Sequence, residues 1–351
     1  MPDYAIETNR LTKIFSMREE EEVGKKRSKV MKTVVDNVTL NIPRGQFLGL
    51  LGPNGAGKTT FIKMLVTLLL PTSGSATVNS FDVLKQSAKV RASVGHMHGE
   101  TGGRSLYWRL TGRDNLRFFS FMQDVPQDIS KMRIQALLDY FDLSKDADRE
   151  VRQYSTGMKV RLMLARTLLH NPPILLLDEP TIGLDAEGAL ETRDFLKTLN
   201  KELGKTILFT SHIMSEVQQL CERIVVINNG RIIANTTPDE LRFLTRDVRS
   251  VEIKTLDGKL DKVSDILATK VSCIQGVTNK ESHGNFSTIV VTINCDETEA
   301  IPAIGNTLSS QGIKVIGLQA VEPSLEEAFI RLVKRDDSEK HNENSAEENV
   351  R

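Results

Sequence analysis

The chain has 351 residues, of which 39% are hydrophobic and 26% are charged, as in an ordinary globular protein of about two domains. It carries 46 lysines and arginines against 46 aspartates and glutamates, so no net field draws the whole protein to nucleic acid or anionic lipid. The three cysteines are widely spaced and form no CxxC pair, which argues against a zinc site or a disulfide framework.

The sequence contains no apolar run of about 18 residues, the length that a membrane-spanning helix needs. Its first residues also lack the charged-then-apolar pattern of a signal peptide. We therefore expect a cytoplasmic protein that forms no pore of its own.

The first two thirds of the chain predict short strands interleaved with helices. Residues 4–16 and the alternating positions after Thr33 predict strands, and the charge-dense segment 17–32 between them is interpreted as a solvated loop. Apolar runs that predict buried strands lie at 47–51, 174–177, 206–209 and 223–227. This order indicates an α/β domain with a largely parallel sheet.

The composition changes after about residue 240. The strands and helices predicted from there follow the order β-α-β-β-α-β, which is the ferredoxin-like arrangement of a small α+β domain. The predicted strands lie at 250–254, 287–293 and 313–318, and the predicted helices near 260–269 and 298–311.

The end of the chain is polar and acidic. A last helix is predicted to begin at Ser324, where Ser324 and Glu327 fit a capping box. Residues 336–351 are expected to be disordered, because so few apolar side chains cannot offset the entropy of ordering. We therefore predict domains at 1–240 and 241–335, followed by a disordered tail.

A glycine-rich loop follows the predicted strand 47–51 and precedes a helical segment. It matches G-x-x-x-x-G-K-[ST], a pattern in which backbone N–H groups and a helix N-terminus surround phosphate oxygens. Lys58 is expected to reach the β- and γ-phosphates of a nucleotide, and the Thr59 hydroxyl to hold Mg²⁺. The predicted phosphate-binding residues are Gly52, Pro53, Asn54, Gly55, Ala56, Gly57, Lys58, Thr59 and Thr60.

The apolar strand 174–177 ends in two acids. Asp178 is expected to bind Mg²⁺, directly or through water, and Glu179 to act as the general base toward the attacking water. Together with the phosphate loop, this Walker B element predicts a P-loop ATPase or GTPase.

Three further segments carry a family resemblance. Residues 154–158, Tyr-Ser-Thr-Gly-Met, resemble the signature sequence of ABC ATPases, residues 181–185 resemble the D-loop, and residues 210–212 resemble the H-switch. The resemblance covers roughly residues 3–240. It implies a P-loop fold of the ABC type, with a mixed sheet core, an antiparallel β subdomain and a helical subdomain at about 100–170.

The resemblance also implies an ATP site shared by two subunits that face each other head to tail. The signature residues Ser155, Thr156 and Gly157 of one subunit would complete the ATP site of the other, and Asp185 of the D-loop would adjoin it. His212 would contact the γ-phosphate within its own subunit and help hold the water.

Two positions depart from the family. Phe15 stands where a tyrosine usually stacks on adenine, and stacking needs only a flat π-face, although a core position is the alternative. Residues 94–100 contain no glutamine, whereas the family's Q-loop glutamine contacts Mg²⁺ and water. Glu100 is our candidate for that position and for a further Mg²⁺ ligand, with Gly99 second. His96 and His98 have no third ligand nearby and predict no metal site.

Two further regions resemble segments of ABC ATPases that contact partners or regulate the dimer and do not bind ATP. Residues 104–121 correspond to the region that receives a coupling helix from the membrane subunit, where Tyr107 and Trp108 fit either a contact anchor or internal core. The C-terminal domain, in particular residues 323–329, resembles the accessory domain of ATPases of two-component exporters. That likeness implies a role in dimer stabilisation or regulation.

The function implied is hydrolysis of ATP, with Mg²⁺, to power export through a separate transmembrane permease at the inner face of the cell membrane. A second ATP-binding subunit is expected, most simply another copy of this chain. The alternative is an ABC-type ATPase that acts on ribosomes or DNA. A single phosphate loop, no sustained heptads and no cysteine cluster argue against it, so no nucleic-acid partner is expected. An inactive scaffold is disfavoured because the catalytic residue types are present.

Overall fold

The computed structural model describes residues 3–18, 29–98, 106–243, 249–256, 260–283, 286–321 and 324–348. The chain divides into two compact units, Met1–Pro238 and Asp239–Arg351. The division lies beside the boundary expected near residue 240. None of the helices within the described ranges is both long enough and apolar enough to cross a membrane.

The first unit combines two sheets with a group of helices. Its elements are β1 (Tyr4–Arg18), β2 (Lys29–Pro43), β3 (Phe47–Leu51), α1 (Lys58–Leu65), β4 (Ser73–Val78), β5 (Phe81–Asp82), α2 (Ser87–Ser93), β6 (Val94–His98), α3 (Gly112–Met122), α4 (Gln127–Tyr140), α5 (Thr156–Thr167), β7 (Ile174–Asp178), α6 (Ala186–Lys201), β8 (Thr206–Thr210), α7 (Met214–Leu220), β9 (Arg223–Asn228) and β10 (Arg231–Thr236). Short 3₁₀ helices at Ser144–Asp146 and Val151–Gln153 precede α5.

The larger sheet has the strand order β10-β9-β3-β8-β7-β6. The neighbours from β9 to β6 are parallel, and only β10 runs antiparallel to its neighbour β9. Every residue of β3, β7 and β8 is buried, because a parallel sheet covered on both faces needs continuous apolar strands. This mixed sheet confirms the α/β class predicted from the apolar runs.

The smaller sheet is antiparallel and has the order β2-β1-β4-β5. Its first two strands pair along their length, and Met17 still lies opposite Val30. The predicted loop 17–32 is therefore strand at both ends, and residues 19–28 lie outside the described ranges. Alternating side chains such as Ile6 and Leu40 point inward and are buried, which anchors this sheet on its apolar face.

The helical subdomain contains α3, α4 and α5. Thr111 caps α3 by accepting a hydrogen bond from the backbone N–H of Asp114. The buried Asn115 side chain donates to the carbonyls of Tyr107 and Thr111 and so fixes the segment that leads into the helix. Tyr107 and Trp108 remain 50% and 46% exposed, so the interpretation of both as internal core is not supported by their burial.

Helix α8 (Pro238–Phe243) begins at the last residue of the first unit. The second unit then contains β11 (Arg249–Leu256), α9 (Leu260–Lys270), β12 (Ile274–His283), β13 (Phe286–Ile293), α10 (Glu297–Ser310), β14 (Lys314–Val321) and α11 (Leu325–Glu348). Its sheet has the order β12-β13-β11-β14, and each neighbouring pair is antiparallel. This is the ferredoxin-like arrangement predicted from the order of patterns. Its core includes Ile253, Leu267, Val291 and Ile304, all fully buried.

The end of the chain differs from the expectation. Helix α11 continues to Glu348, so residues 336–348, predicted to be disordered, are helical. The expectation of disorder rested on the lack of apolar residues and did not include the high helix propensity of Glu, Lys and Arg or ion pairs one turn apart. Arg335 and Glu339 form such a pair, with Nε and Oε1 3.0 Å apart.

We expect removal of residues 336–351 to leave the melting temperature within about 2 °C of the full chain, because a surface helix end contributes little stability. The described residues 337–339 are exposed. Calorimetry of the truncated protein measures this. A deletion that begins at Leu325 is the comparison, because it also removes the buried Leu325 and Ala328 and should lower the melting temperature clearly. Equal losses from both deletions would show that the terminal turns are structurally important.

Candidate functional site

The phosphate loop joins the buried strand β3 to α1, which begins at Lys58. Two of its glycines, Gly55 and Gly57, have positive φ values of 80° and 105°. A Cβ atom on Gly52 would lie only 2.3 Å from the carbonyl oxygen of Ile227. The glycines thus allow the backbone to turn tightly and expose the first N–H groups of α1, which is the arrangement that binds phosphate.

Gly57 and Gly55 provide a matched test of this loop. Both adopt left-handed backbone, but a Cβ on Gly57 would lie 2.5 Å from the Val34 carbonyl oxygen, whereas Gly55 faces open space. We expect Gly57→Ala to destabilise the protein by about 1–3 kcal/mol more than Gly55→Ala, because overpacking adds to the shared backbone strain. Urea unfolding of both variants measures the difference. Equal stabilities would contradict the close approach of β2 to the loop.

Lys58 lies inside the curl of the loop. Its Nζ donates hydrogen bonds to the carbonyl oxygens of Gly52, at 2.6 Å, and Pro53, at 3.0 Å. Burial lowers the pKa of Lys58, and the nearby carboxylates of Glu179 and Asp178 oppose that shift. The loop therefore holds an ammonium group where the glycine turn and the helix N-terminus also favour an anion.

Asp178 ends β7 and is 5% exposed. Its Oδ1 accepts a hydrogen bond from the Thr210 hydroxyl at 2.6 Å, and its Oδ2 accepts one from the Thr59 hydroxyl at 3.0 Å. Carboxylate and hydroxyl oxygens are the ligands that Mg²⁺ prefers. The pairing of Thr59 with Asp178 therefore fits the predicted magnesium site.

Glu179 has a positive φ of 50°, unusual for a residue with a side chain. Its backbone N–H donates to both the carbonyl oxygen and the hydroxyl of Thr210, at 3.1 and 3.0 Å, and these contacts hold the conformation. Strained backbone of this kind is common at functional sites. The Glu179 Oε2 lies 3.5 Å from Nδ1 of the exposed His212, so the structure brings the predicted base and the H-switch histidine together.

A cavity of about 570 Å³ contains these groups, a size suited to a small-molecule ligand. It includes Asn54 to Thr60 of the loop, together with both Walker B acids. Its described lining is Val34, Asn54, Gly55, Ala56, Gly57, Lys58, Thr59, Thr60, His98, Asp178, Glu179, Ile182 and Gly183.

Some predicted residues lie away from this cavity lining, as far as the described residues show. Phe15 is half-buried on β1, where the Lys13 ammonium lies 5.1 Å from its ring centroid. Gly52 and Pro53 contribute through the carbonyls that hold Lys58. Glu100 and Gly99, the two candidates for the Q-loop position, lie outside the described residues.

The signature residues and the D-loop aspartate form helix N-termini instead. The exposed Ser155 caps α5, and its Oγ accepts a hydrogen bond from the N–H of Met158 at 3.2 Å. Asp185 caps α6 in the same way through the N–H of Gly188 at 2.9 Å. Thr156 is exposed and Gly157 partly so. None of these four residues is part of the cavity lining of the same chain. The N-terminus of α5, with its hydroxyl groups, is the kind of helix end that can bind an anion.

The residues that hold the Walker B acids and the neighbouring loops by hydrogen bonds were not predicted from the sequence. Thr210 holds both Asp178 and Glu179, as described above. Glu216, which is 2% exposed, accepts hydrogen bonds from the hydroxyls of Thr181 and Ser211, each at 2.9 Å, and so ties the D-loop to the H-switch. A signal for Thr210 was available, because the predicted strands 174–177 and 206–209 follow each other along the chain, and consecutive strands are often neighbours in a sheet.

His98 was also missed as a member of the site. It ends β6, and the register pairs it with Asp178 on the adjacent strand β7. Its Nδ1 lies 3.1 Å from the Asp178 Oδ2. His96 has a different environment, because burial, followed by the proximity of His98, lowers its pKa to about 4. The two histidines therefore lie in different surroundings.

The sequence pattern of the ABC transporter family matches residues 35–182. The ABC transporter ATP-binding protein NatA of Bacillus subtilis is 43% identical over 59% of this chain and 82% of its own length. The daunorubicin resistance ATP-binding protein DrrA3 of Streptomyces coeruleorubidus is 35% identical over 86% of this chain and 91% of its own length.

Among solved structures, a dimeric post-hydrolysis state of the ATP-binding cassette MJ0796, bound to ADP and Pi, superposes with a TM-score of 0.58. It is 26% identical and covers 66% of this chain and 98% of its own. The family pattern, the relatives and the fold agree with one another. The chain is a member of the ABC transporter ATP-binding proteins, which bind and hydrolyse ATP.

Proposed function

We propose that this ATP-binding transport subunit powers export through a separate transmembrane permease, and that Mg²⁺-dependent closure of a dimer of the chain supplies the motion. The observation that carries the proposal is the division of the ATP site. The cavity contains the phosphate loop and both acids, whereas the signature helix end at Ser155 is exposed and not part of the lining. A second subunit would complete the site.

The groups in the cavity have distinct roles in the proposed reaction. Lys58 and the N–H groups of the loop bind the phosphates, and Thr59 and Asp178 would hold Mg²⁺. Bound Mg²⁺ would neutralise charge on the β- and γ-phosphates. Glu179 takes the proton as the water oxygen bonds to the γ-phosphorus and the bond to the ADP oxygen breaks. His212 lies against Glu179 and holds the water in line.

The second subunit in this proposal is another copy of the chain. Ser155, Thr156 and Gly157 would approach the γ-phosphate bound by the partner, because an exposed helix N-terminus with a hydroxyl favours an anion. Asp185 would adjoin the same contact. The dimeric state named for the similar cassette supports such an arrangement. The ferredoxin-like unit would stabilise or regulate the dimer.

Export through a separate permease is proposed from the relatives and from the chain itself. One relative is named for resistance to daunorubicin, a role that removal of a compound from the cell would explain. The described helices include none that could form a membrane path. We therefore place this subunit at the cytoplasmic face of a membrane, bound to the permease.

Affinity purification of the tagged chain from detergent-solubilised membranes of its native host tests this proposal. We expect a polytopic membrane protein to copurify and to be identified by mass spectrometry. The tag alone, expressed at the same level, controls for adventitious capture. Recovery of ribosomes or DNA-repair proteins without any membrane subunit would overturn the transport proposal and leave only the ATPase activity.

A further inference from the structure

His98 lies at the edge of the sheet where the phosphate site is built. It is the last residue of β6, and Asp178 is the last residue of the adjacent parallel strand β7, directly opposite in register. Both side chains line the same cavity as Lys58 and Thr59. The histidine side chain is 35% exposed, so its position is not explained by packing in the apolar core.

The contact between the two side chains has a defined direction. A carboxylate accepts hydrogen bonds but donates none, so the ring N–H at Nδ1 of His98 must donate to the Asp178 Oδ2, 3.1 Å away. The same oxygen accepts from the Thr59 hydroxyl, and Oδ1 accepts from the Thr210 hydroxyl. Three donors from three different elements therefore fix the rotation of one carboxylate.

The segment that contains His98 also lacks the glutamine that the ABC family has there. Residues 94–100 read Val-Gly-His-Met-His-Gly-Glu and contain no glutamine. Within the described part of this segment, His98 is the residue that contacts a Walker B acid. The neighbouring histidine, His96, is not among the cavity-lining residues.

We propose that His98 is a positioning residue for ATP hydrolysis, which orients the Asp178 carboxylate toward Mg²⁺ by donating from Nδ1. The inference rests on the Mg²⁺ site proposed above. Groups that hydrogen-bond a metal ligand fix its orientation and basicity, and their loss lowers metal affinity about 10–100-fold. Among the described residues, the Thr59 hydroxyl would be the one remaining donor to Oδ2 without His98.

Three substitutions separate this role from a general structural one. His98→Ala removes the donor. His98→Asn keeps a donor at the position of Nδ1, because the asparagine amide nitrogen is bonded to Cγ as Nδ1 is in histidine. His98→Gln moves the amide donor one bond farther from the backbone, to a distance that resembles Nε2.

The measurement is binding of Mn²⁺ to the full-length protein with a non-hydrolysable ATP analogue, followed by electron paramagnetic resonance. We expect Mn²⁺ affinity to fall about 10–100-fold in His98→Ala and to return in His98→Asn but not in His98→Gln. Steady-state ATPase assays should show the same order in the metal concentration needed for half-maximal rate. Should the alanine variant fail to fold, the asparagine and glutamine variants still decide the question.

Two outcomes would overturn the inference. One is unchanged Mn²⁺ affinity in His98→Ala, and the other is rescue by glutamine but not by asparagine. Asp178→Asn serves as the reference. If that variant also bound Mn²⁺ normally, the Mg²⁺ site itself would be wrong. If it lost binding while His98→Ala kept it, only the role of His98 would be wrong.

Discussion

Replacing Glu179 with glutamine should slow ATP hydrolysis by about 10²–10⁴-fold and leave ATP binding intact, the usual contribution of a general base. The amide keeps the size and hydrogen-bonding reach of the carboxylate but cannot take a proton from water. The left-handed backbone at Glu179 is held by two bonds to Thr210 that do not involve the side chain. The substitution should therefore change the chemistry and not the position of the residue.

Single-turnover hydrolysis and equilibrium ATP binding measure the two effects separately. Glu202→Gln is the matched control, because Glu202 is exposed at the end of α6 and distant in sequence from both motifs. The variant should retain bound ATP when the wild type has converted it to ADP. Turnover near the wild-type rate would show that Glu179 is not the base.

Replacing Lys58 with alanine should weaken ATP binding by about 10–100-fold or more, because hydrogen bonds to charged groups contribute about 1.5–3 kcal/mol and each 1.4 kcal/mol is tenfold. The ammonium group already lies inside the loop, held by the carbonyls of Gly52 and Pro53. Its removal would take away the ammonium group and leave the backbone N–H groups of the loop to bind the phosphates. Two nearby carboxylates, Asp178 and Glu179, would then lose the positive charge that lies beside them.

Isothermal titration with ATP measures this loss. Lys63→Ala is the matched control, because Lys63 lies on the same helix but is exposed and absent from the cavity lining. Normal affinity in Lys58→Ala would remove the assignment of this loop as the phosphate site.

Local patterns predicted much of the fold. The apolar runs of β3, β7 and β8 are buried on both faces, so their sequences alone indicate strands of a covered parallel sheet. The order of the predicted strands and helices after about residue 240 indicated the ferredoxin-like unit. The phosphate loop was equally clear because its glycines, lysine and threonine act together within a short segment.

Features that depend on contacts between distant segments were not predictable in this way. His98 meets Asp178 only through the register of two strands, and Glu216 joins Thr181 to Ser211 from a helix that carries no motif. The prediction of a disordered tail was wrong for a different reason. The end of helix α11 depends for its stability on helix propensity and local ion pairs, not on burial. The roles of Phe15 and Glu100 stay predictions.

The shared ATP site is tested most directly by the mass of the Glu179→Gln protein in solution, measured by light scattering with ATP and then with ADP. A site divided between two copies predicts twice the mass of one chain with ATP and a return to one chain with ADP. A protein that binds ATP fully yet keeps the mass of a single chain would contradict the shared site, and with it the proposed closure that drives transport.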